Sequence, residues 1–585
     1  MAQLLFLSPP RRADGSRALF NNASLSLASY LARRGVTARI APLLGTHWRE
    51  DLQAALAEHV PDHAAISCKW WDTLYGATEV AKQIKAFRPE TRTVAGGQTA
   101  AAFARDLVSR RHFDAVVSGD GEKPLVDLAR GAPEGNLTFL RGEETVQLPL
   151  TYVQPRGGSE DLSLLDDLTE IAPADLLREV GYNAPYVWTG KGCQSTCLYC
   201  GGSALGHKTL FGRTGYAYRP PEQTIRDMEV LGRWSGDVVM FDFDPVTDPT
   251  RREYYRQLMR QLPRGRFHVA FYCWSLPDDE FIAEAAATFR SCLIGIDAQT
   301  YSEPLRARLA RRAWIKPFAS DADLDHAVAT CQGLPNCAVA MYGIVGLATE
   351  TADDVARAEE FLKRLLDRYG EAFHELEITP LSIEPGALLA RDPAKYGMVA
   401  LRNTFDDYLA FTRFQYHLGA GFHEAPFEPG LPHPFGVHRA GDAPDRVWRD
   451  YRRLKALIGT RREALANAAA YEALSIGAEG IALTLRNRSV YQDVWRLIPW
   501  AAGEALDRGL PRVEVAAALA HVNVPAAPVL TLDERFAWAR AQLARIREAI
   551  AAGHLELRIR GSEGQRWGAL ADCGAEITSE GRGSC

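Results

Sequence analysis

Short apolar runs of four to six residues recur through the first 130 positions, at Leu4–Leu7, Ala38–Leu43, His63–Ser67, Thr91–Ala95 and Asp114–Ser118. Between them, apolar side chains fall at helical spacing over Ala23–Arg34, Glu50–His59 and Thr78–Phe87. Short runs buried on both faces and separated by helices predict parallel pairing through βαβ units. Residues 1–130 therefore read as an α/β, Rossmann-like (flavodoxin-like) domain. Three of its loops, Pro9–Gly15, Lys69–Gly76 and Gly96–Thr99, follow strands. That edge of an open parallel sheet is where ligands bind.

The pattern then breaks. Gly131, Pro133, Gly135 and the turn Arg141-Gly142-Glu143 predict a small hairpin, and an acidic, leucine-rich stretch completes a linker over 131–180. Alternation resumes over 181–400, with apolar strands at Tyr186–Thr189, Val238–Phe243, His268–Tyr272, Cys292–Ile296, Ala338–Ile344 and Leu376–Pro380. Repeats of this kind predict a partial (β/α)6-type barrel with its chemistry at the C-terminal strand ends. Residues 401–585 read as a mostly helical domain. Thr531-Leu532-Asp533-Glu534 is a capping box for a helix ending near Gly553, and the polar tail Ser562–Cys585 reads as frayed.

Composition narrows the class. Apolar residues make up 47% of the 585 and charged residues 24%, enough for large cores. The net charge of −6 is spread along the chain, which argues against a dedicated nucleic-acid binder. The best membrane candidate, Val513–Leu530, holds Glu514, His521, Asn523 and two prolines, and is not expected to span a bilayer. Met1–Pro10 has no basic leader and reads as a first strand, not a secretory signal. Ten cysteines are too few for a disulfide scaffold, so a reducing, cytoplasmic setting is expected.

Three of the cysteines crowd into Gly192-Cys193-Gln194-Ser195-Thr196-Cys197-Leu198-Tyr199-Cys200, a CxxxCxxC run just after the first strand of the second unit. A structural zinc needs four protein ligands, and no fourth Cys or His lies close in sequence. Three thiolates on one loop can hold three irons of a [4Fe–4S] cube and leave the fourth open to a substrate or cosubstrate. Zinc and plain buried thiols are the alternatives. Lys191 beside the loop is placed to offset an anionic cluster.

This motif, with an aromatic residue before its last cysteine, resembles that of the radical S-adenosylmethionine (SAM) superfamily. The resemblance implies reductive cleavage of SAM to a 5′-deoxyadenosyl radical. It assigns Cys193, Cys197 and Cys200 to the metal cluster as catalytic residues, and Tyr199, Gly201 and Gly202 to the SAM side. Met240-Phe241-Asp242-Phe243-Asp244 stands where the family often carries a glycine-rich motif for the methionyl amine; the glycines are missing, and the aspartates, Asp242 first, are the candidate substitutes. Gly295-Ile296-Asp297-Ala298-Gln299 matches the fourth-strand end, which implies contacts from Asp297 and Gln299 to ribose and carboxylate. Gly343-Ile344-Val345-Gly346-Leu347, followed by Glu350 and Thr351, resembles the fifth-strand motif beside adenine, through Gly343 and Gly346. A plain tight turn is the other reading of those glycines.

Upstream, Gly96-Gly97-Gln98-Thr99 and Gly119-Asp120-Gly121-Glu122 put glycines where a backbone must approach a bulky ligand. Ahead of such a core they resemble the cobalamin-binding domain of cobalamin-dependent radical SAM enzymes. The resemblance implies corrinoid contacts at Gly96, Gly97, Gln98, Gly119, Gly121 and Glu122; a flavodoxin-like domain without ligand is the alternative. The Asp-x-His-x-x-Gly motif that supplies a histidine to cobalt in other cobalamin proteins is absent, so base-off cobalamin with no histidine ligand is expected. Ser67, Lys69 and Trp70, within Ser67-Cys68-Lys69-Trp70-Trp71, are expected below the corrin. Cys200-Gly201-Gly202-Ser203 and Thr379–Gly386 are similar to the class B branch that contains the tryptophan 2-C-methyltransferase of thiostrepton biosynthesis.

What the resemblance implies is C-methylation of a small-molecule or peptide natural-product intermediate via methylcobalamin. A flavodoxin- or ferredoxin-type electron donor is the implied partner, with no nucleic acid and no membrane. The rival readings keep both cofactors for rearrangement, cyclisation or oxidation, or keep SAM chemistry without cobalamin. A tRNA-modifying reading lacks a basic C-terminal module, and an iron–sulfur sensor would make no SAM products. Within 401–585, Phe422–Gly430 with His433, Phe435 and His438 is a candidate loop over the barrel mouth, and nothing there names the substrate.

Overall fold

The structure, a computed structural model, describes residues 3–11, 22–41, 43, 47–154, 160–182, 185–241, 244–246, 248–369, 373–418, 435–469, 471–485, 502, 505–506, 508–517, 548–560 and 576–578. The amino-terminal strands are β1 (Gln3–Leu7), β2 (Thr37–Ala41), β3 (His63–Ser67), β4 (Arg92–Gly96) and β5 (Ala115–Val117), followed by a hairpin of β6 (Leu137–Arg141) and β7 (Glu144–Gln147). Their order is β2-β1-β3-β4-β5-β6-β7. The first five pair in parallel, while β6 and β7 are antiparallel. The order 2-1-3-4-5 is that of a flavodoxin-like sheet, with its switch point between β1 and β3. Alternation along β1 explains the two layers. Leu4 and Phe6 enter one core with Leu25, Ala28 and Leu31, and Leu5 and Leu7 enter the other with Trp48, Leu52 and Leu74.

The predicted hairpin exists, and it extends the first sheet. In the stretch after it, Leu162, Leu164, Leu168, Leu176 and Leu177 join the core shared by the first sheet and the barrel, and Ile171 O accepts from Ile40 N at 2.8 Å.

The second unit has β8 (Tyr186–Val187), a small antiparallel pair of β9 (Gly190–Gly192) and β10 (Tyr216–Tyr218), then β11 (Val238–Phe241), β12 (His268–Cys273), β13 (Ser291–Gln299), β14 (Cys337–Val345) and β15 (Phe373–Pro380). The sheet runs β8-β11-β12-β13-β14-β15, parallel throughout and in chain order, which is the expected open barrel. Phe241 and Phe271 stack in its floor with centroids 5.0 Å apart.

Beyond 400, β16 (Met398–Ala400) pairs with β17 (Val437–Arg439). The helix Phe405–Leu418 packs on the first domain, with Tyr408 and Phe411 against Trp71 and Tyr416 against Tyr75. The helix Arg446–Ala469 follows β17, and Lys455 pairs with Glu377 of β15. The mostly helical expectation needs correction. Strands β18 (Tyr471–Gly477), β19 (Gly480–Leu485), β20 (Arg512–Ala517), β21 (Glu556–Arg560) and β22 (Glu576–Thr578) form a five-stranded sheet. The missed signal is a two-residue turn, Ala478-Glu479, closed by Gly480 at φ +145°, where a side chain would strike Arg512 O. Residues 576–578, expected to fray with the tail, form the sheet's edge. The capping box at 531–534 and the segment 422–434 lie outside the described residues. Gly553 does end a helical stretch, at φ +70°. Among the described residues no helix is long and apolar enough to cross a membrane.

Candidate active site

The cysteine loop leaves β9 at Gly192, whose φ of +108° and close approach to Gly215 O exclude any side chain. Cys193 and Cys197 are buried and Cys200 half-buried; Gln194 and Thr196 between them face solvent. Ser195 N donates to the Cys193 sulfur at 3.3 Å. Burial pushes the Cys197 thiol up to about 12, with Lys316 opposing and Asp297 and Cys193 adding to the rise. Cys200 is pushed higher by burial, then by Glu384 and the other two sulfurs. Three sulfurs within each other's field, two of them on buried cysteines, are costly as bare thiolates, and cationic metal relieves that cost. Gly202 keeps the space beside Cys200 clear: a Cβ there would lie 3.6 Å from the sulfur and 3.3 Å from Gln98 Oε1. Among the described residues no three His, Cys, Asp or Glu side chains converge on one point as a single ion requires. Three spaced sulfurs on one loop fit a multi-iron cluster better than zinc.

A chain of polar side chains starts from the loop itself. Tyr199 donates its hydroxyl to Gln299 Oε1 at 2.6 Å. Gln299 ends β13 with φ +63°, a left-handed conformation unusual for its type, and its N–H donates to Asp297 Oδ1 at 3.1 Å. The other Asp297 oxygen pairs with Lys316. Burial alone would lower the Lys316 ammonium, but Asp297 and the Cys197 sulfur outweigh it and hold it above its ordinary value. Lys316 is thus the cation beside the sulfurs. Lys191, expected in that role, instead pairs with Glu122 and Asp120. Asp242 lies outside the described residues. Asp244 is buried, accepts Trp274 N at 3.1 Å and faces Arg251 at 3.5 Å, and burial raises its carboxyl to about 6. The missing Cβ of Gly343 accommodates the Tyr301 ring, and that of Gly346 accommodates Val447. Both glycines therefore have a packing reason of their own, so a ligand could meet only their backbone.

The first domain brings its strand ends to the same place. A Cβ on Gly97 (φ +109°) would lie 2.7 Å from Lys69 Cα, whereas Gly96 faces open space. Gln98 Nε2 donates to Glu384 Oε2 at 3.0 Å, and Gly201 N donates to the same oxygen at 2.8 Å. Glu384 N in turn donates to Tyr199 O at 3.1 Å. Lys69 lies over two indoles, 4.9 Å from Trp70 and 5.3 Å from Trp188. Ser67 ends β3 half-buried, Trp70 is exposed, and Trp71 is core rather than site. In the Gly119–Glu122 turn, Gly119 abuts Asn136 and Gly121 abuts Leu27. Its carboxylates turn to the barrel, Asp120 to Arg213 and Lys191, and Glu122 to Lys191. This turn latches the two units together. Lys316 and Arg213 stand in no motif and were not legible in the sequence; Glu384 fell within a flagged segment without a role.

The B12 binding domain family matches residues 19–129. Among solved structures, the chain is similar to the radical S-adenosylmethionine methyltransferase TsrM from Kitasatospora setae. It aligns with the form holding tryptophan substrate and a SAM analog at TM-score 0.56 and 16% identity, over 78% of this chain and 89% of that one. With the form holding cobalamin and a [4Fe–4S] cluster the values are 0.52 and 17%, over 68% and 81%. It is also similar to the cobalamin-dependent S-adenosylmethionine radical enzyme OxsB with aqua-cobalamin bound, at TM-score 0.50 and 11% identity, over 80% and 72%. No curated protein matches in sequence. Residues 19–129 match a B12-binding domain, and over 68–80% of its length the chain has the fold of these cobalamin-dependent radical SAM proteins.

Proposed function

We propose that this protein is a cobalamin-dependent radical SAM C-methyltransferase acting on a small-molecule or peptide natural-product intermediate. The observation that carries the reading is the meeting of Gln98, Glu384 and Gly201, which sets the open strand ends of the B12-binding domain against the cysteine loop. When bound, the cluster and SAM supply a one-electron route to a carbon radical, and the corrinoid supplies a methyl group.

Cys193, Cys197 and Cys200 would hold the cluster through three thiolates. Tyr199, Gln299, Asp297 and Lys316 form a fixed polar wall beside those sulfurs, suited to orienting the charged end of SAM. Gly96 leaves room for a flat macrocycle against backbone, and the loops Pro9–Gly15 and Ser67–Trp71 hold no histidine, in keeping with base-off binding. Held geometry of this kind lowers a barrier by positioning.

The test is anaerobic purification with iron and corrinoid quantified per chain, followed by mass analysis of SAM products. S-adenosylhomocysteine with a product heavier by one methylene supports methylation. 5′-Deoxyadenosine with a product of unchanged or lower carbon count points to rearrangement, cyclisation or oxidation instead. Cys197→Ala should lose iron and keep corrinoid; loss of both together would sink the two-module reading.

A further inference from the structure

The cysteine loop touches solvent one residue from a cluster ligand. Thr196 is exposed, and its hydroxyl donates to Ala313 O at 2.5 Å. Leu198 N donates to Trp314 O at 3.0 Å, and Leu389 N donates to Leu198 O at 2.9 Å. The segments 311–318 and 388–396 thus flank the loop where it reaches the surface, joined by the Trp314 and Tyr396 rings at 5.2 Å.

These segments are basic in an unusual way. Arg311, Arg312, Arg391 and Lys395 are exposed. Arg312 lies 4.8 Å over Trp314, and Arg391 donates to Thr209 at 2.7 Å. Among the described residues none of the four has a carboxylate partner. Nearby cations do: Arg306 with Asp321, Arg308 with Asp354, Lys316 with Asp297. Asp392 lies in the second segment, its carboxylate accepting Lys395 N at 3.2 Å. In a chain of net charge −6, four unmatched cations beside exposed Phe318 form a positive, partly aromatic patch on the cluster loop.

We propose that this patch, Arg311, Arg312, Arg391 and Lys395 around Trp314, docks a small acidic electron-carrier protein. The proposal rests on the iron–sulfur reading above and adds the place where the electron enters. One electron leaves the reduced carrier, which is oxidised by one, and the cluster is reduced by one. Complementary charge speeds such encounters and suits the small, transient interface of an electron-transfer pair.

The test uses the full chain with its cluster reconstituted and a reduced flavodoxin as probe. Binding is measured at low and high salt, and cluster bleaching is followed with flavodoxin and separately with dithionite. For Arg311→Glu with Arg312→Glu, the dissociation constant should rise by about tenfold or more at low salt, with a weaker salt dependence. Flavodoxin-driven bleaching should slow in step while dithionite bleaching stays unchanged, and Lys395→Glu should act in the same direction. Unchanged flavodoxin affinity in both variants overturns the proposal, as does a patch that binds RNA or a second copy of this chain but not flavodoxin. If dithionite bleaches nothing in the wild-type chain, the iron–sulfur reading itself fails, and the docking proposal falls with it.

Discussion

The side-chain amide of Gln98 donates to the carboxylate of Glu384 at 3.0 Å, across 286 positions of sequence. Gln98 opens the helix after β4, and Glu384 follows β15, so this bond ties the two sheets at the C-terminal ends of their parallel strands. Gln98→Leu leaves a half-buried carboxylate with one donor fewer, a loss of about 1 kcal/mol. A lower thermal midpoint and weaker corrinoid retention are expected. Gln98→Glu should cost more at neutral pH, because two carboxylates then face each other. Equal losses from both variants would show the contact is not formed.

Gly96 and Gly97 separate room for the fold from room for the ligand. A methyl at Gly97 meets Lys69 backbone and sits at φ +109°, so Gly97→Ala should destabilise the domain by about 1–3 kcal/mol. Gly96 has nothing within 4 Å, so Gly96→Ala should leave thermal stability within about 0.5 kcal/mol and weaken hydroxocobalamin binding. Spectral titration reads the second effect; unchanged corrinoid affinity in Gly96→Ala would remove that strand end from the site.

Lys316 bears on the cysteine sulfurs electrostatically. Lys316→Met removes the buried cation facing Cys197 and leaves Asp297 uncompensated beside it. The reconstituted cluster should then become harder to reduce, by on the order of 60 mV, which is tenfold for one electron. A potentiometric titration giving an equal or higher midpoint would contradict this placement.

Glu350 is a buried acid with a pH signature. Burial raises its carboxyl to about 8, although its Oε2 accepts the Gly346 N–H at 2.5 Å. Between the ordinary value of 4.5 and 8, the unfolded chain gives up this proton first, so stability falls as pH rises through that window. Glu350→Gln keeps an acceptor for Gly346 and has no proton to lose. Thermal midpoints from pH 5 to 8 should decline less steeply in the variant than in the wild type. Parallel slopes would show that Glu350 does not titrate there.

Much of the scaffold was legible because its signals are local. The parallel strands of both large sheets follow from short apolar runs, and the cysteine loop from its spacing. Lys316 could not be found that way: its role arises from β13 placing Asp297 beside the sulfurs, a relation between distant positions. Lys191 looked better placed because it neighbours the loop in sequence, yet the acids of the Gly119–Glu122 turn claim it. The sheet over 471–578 was missed because its strands are short, spaced widely and opened by a tight hairpin inside an alanine-rich, helix-like composition.

The open barrel leaves two rims, and different parts of the chain attend to them. Asn22 of the B12-binding domain donates to Tyr186 O of β8 at 3.0 Å, while the helix Arg446–Ala469 reaches β15 through Lys455 and Glu377. The barrel is therefore walled on one flank by the amino-terminal module and on the other by the helix Arg446–Ala469. On the proposed function, exchange of that latter wall is expected to alter which substrate is accepted and to leave the sulfur trio undisturbed.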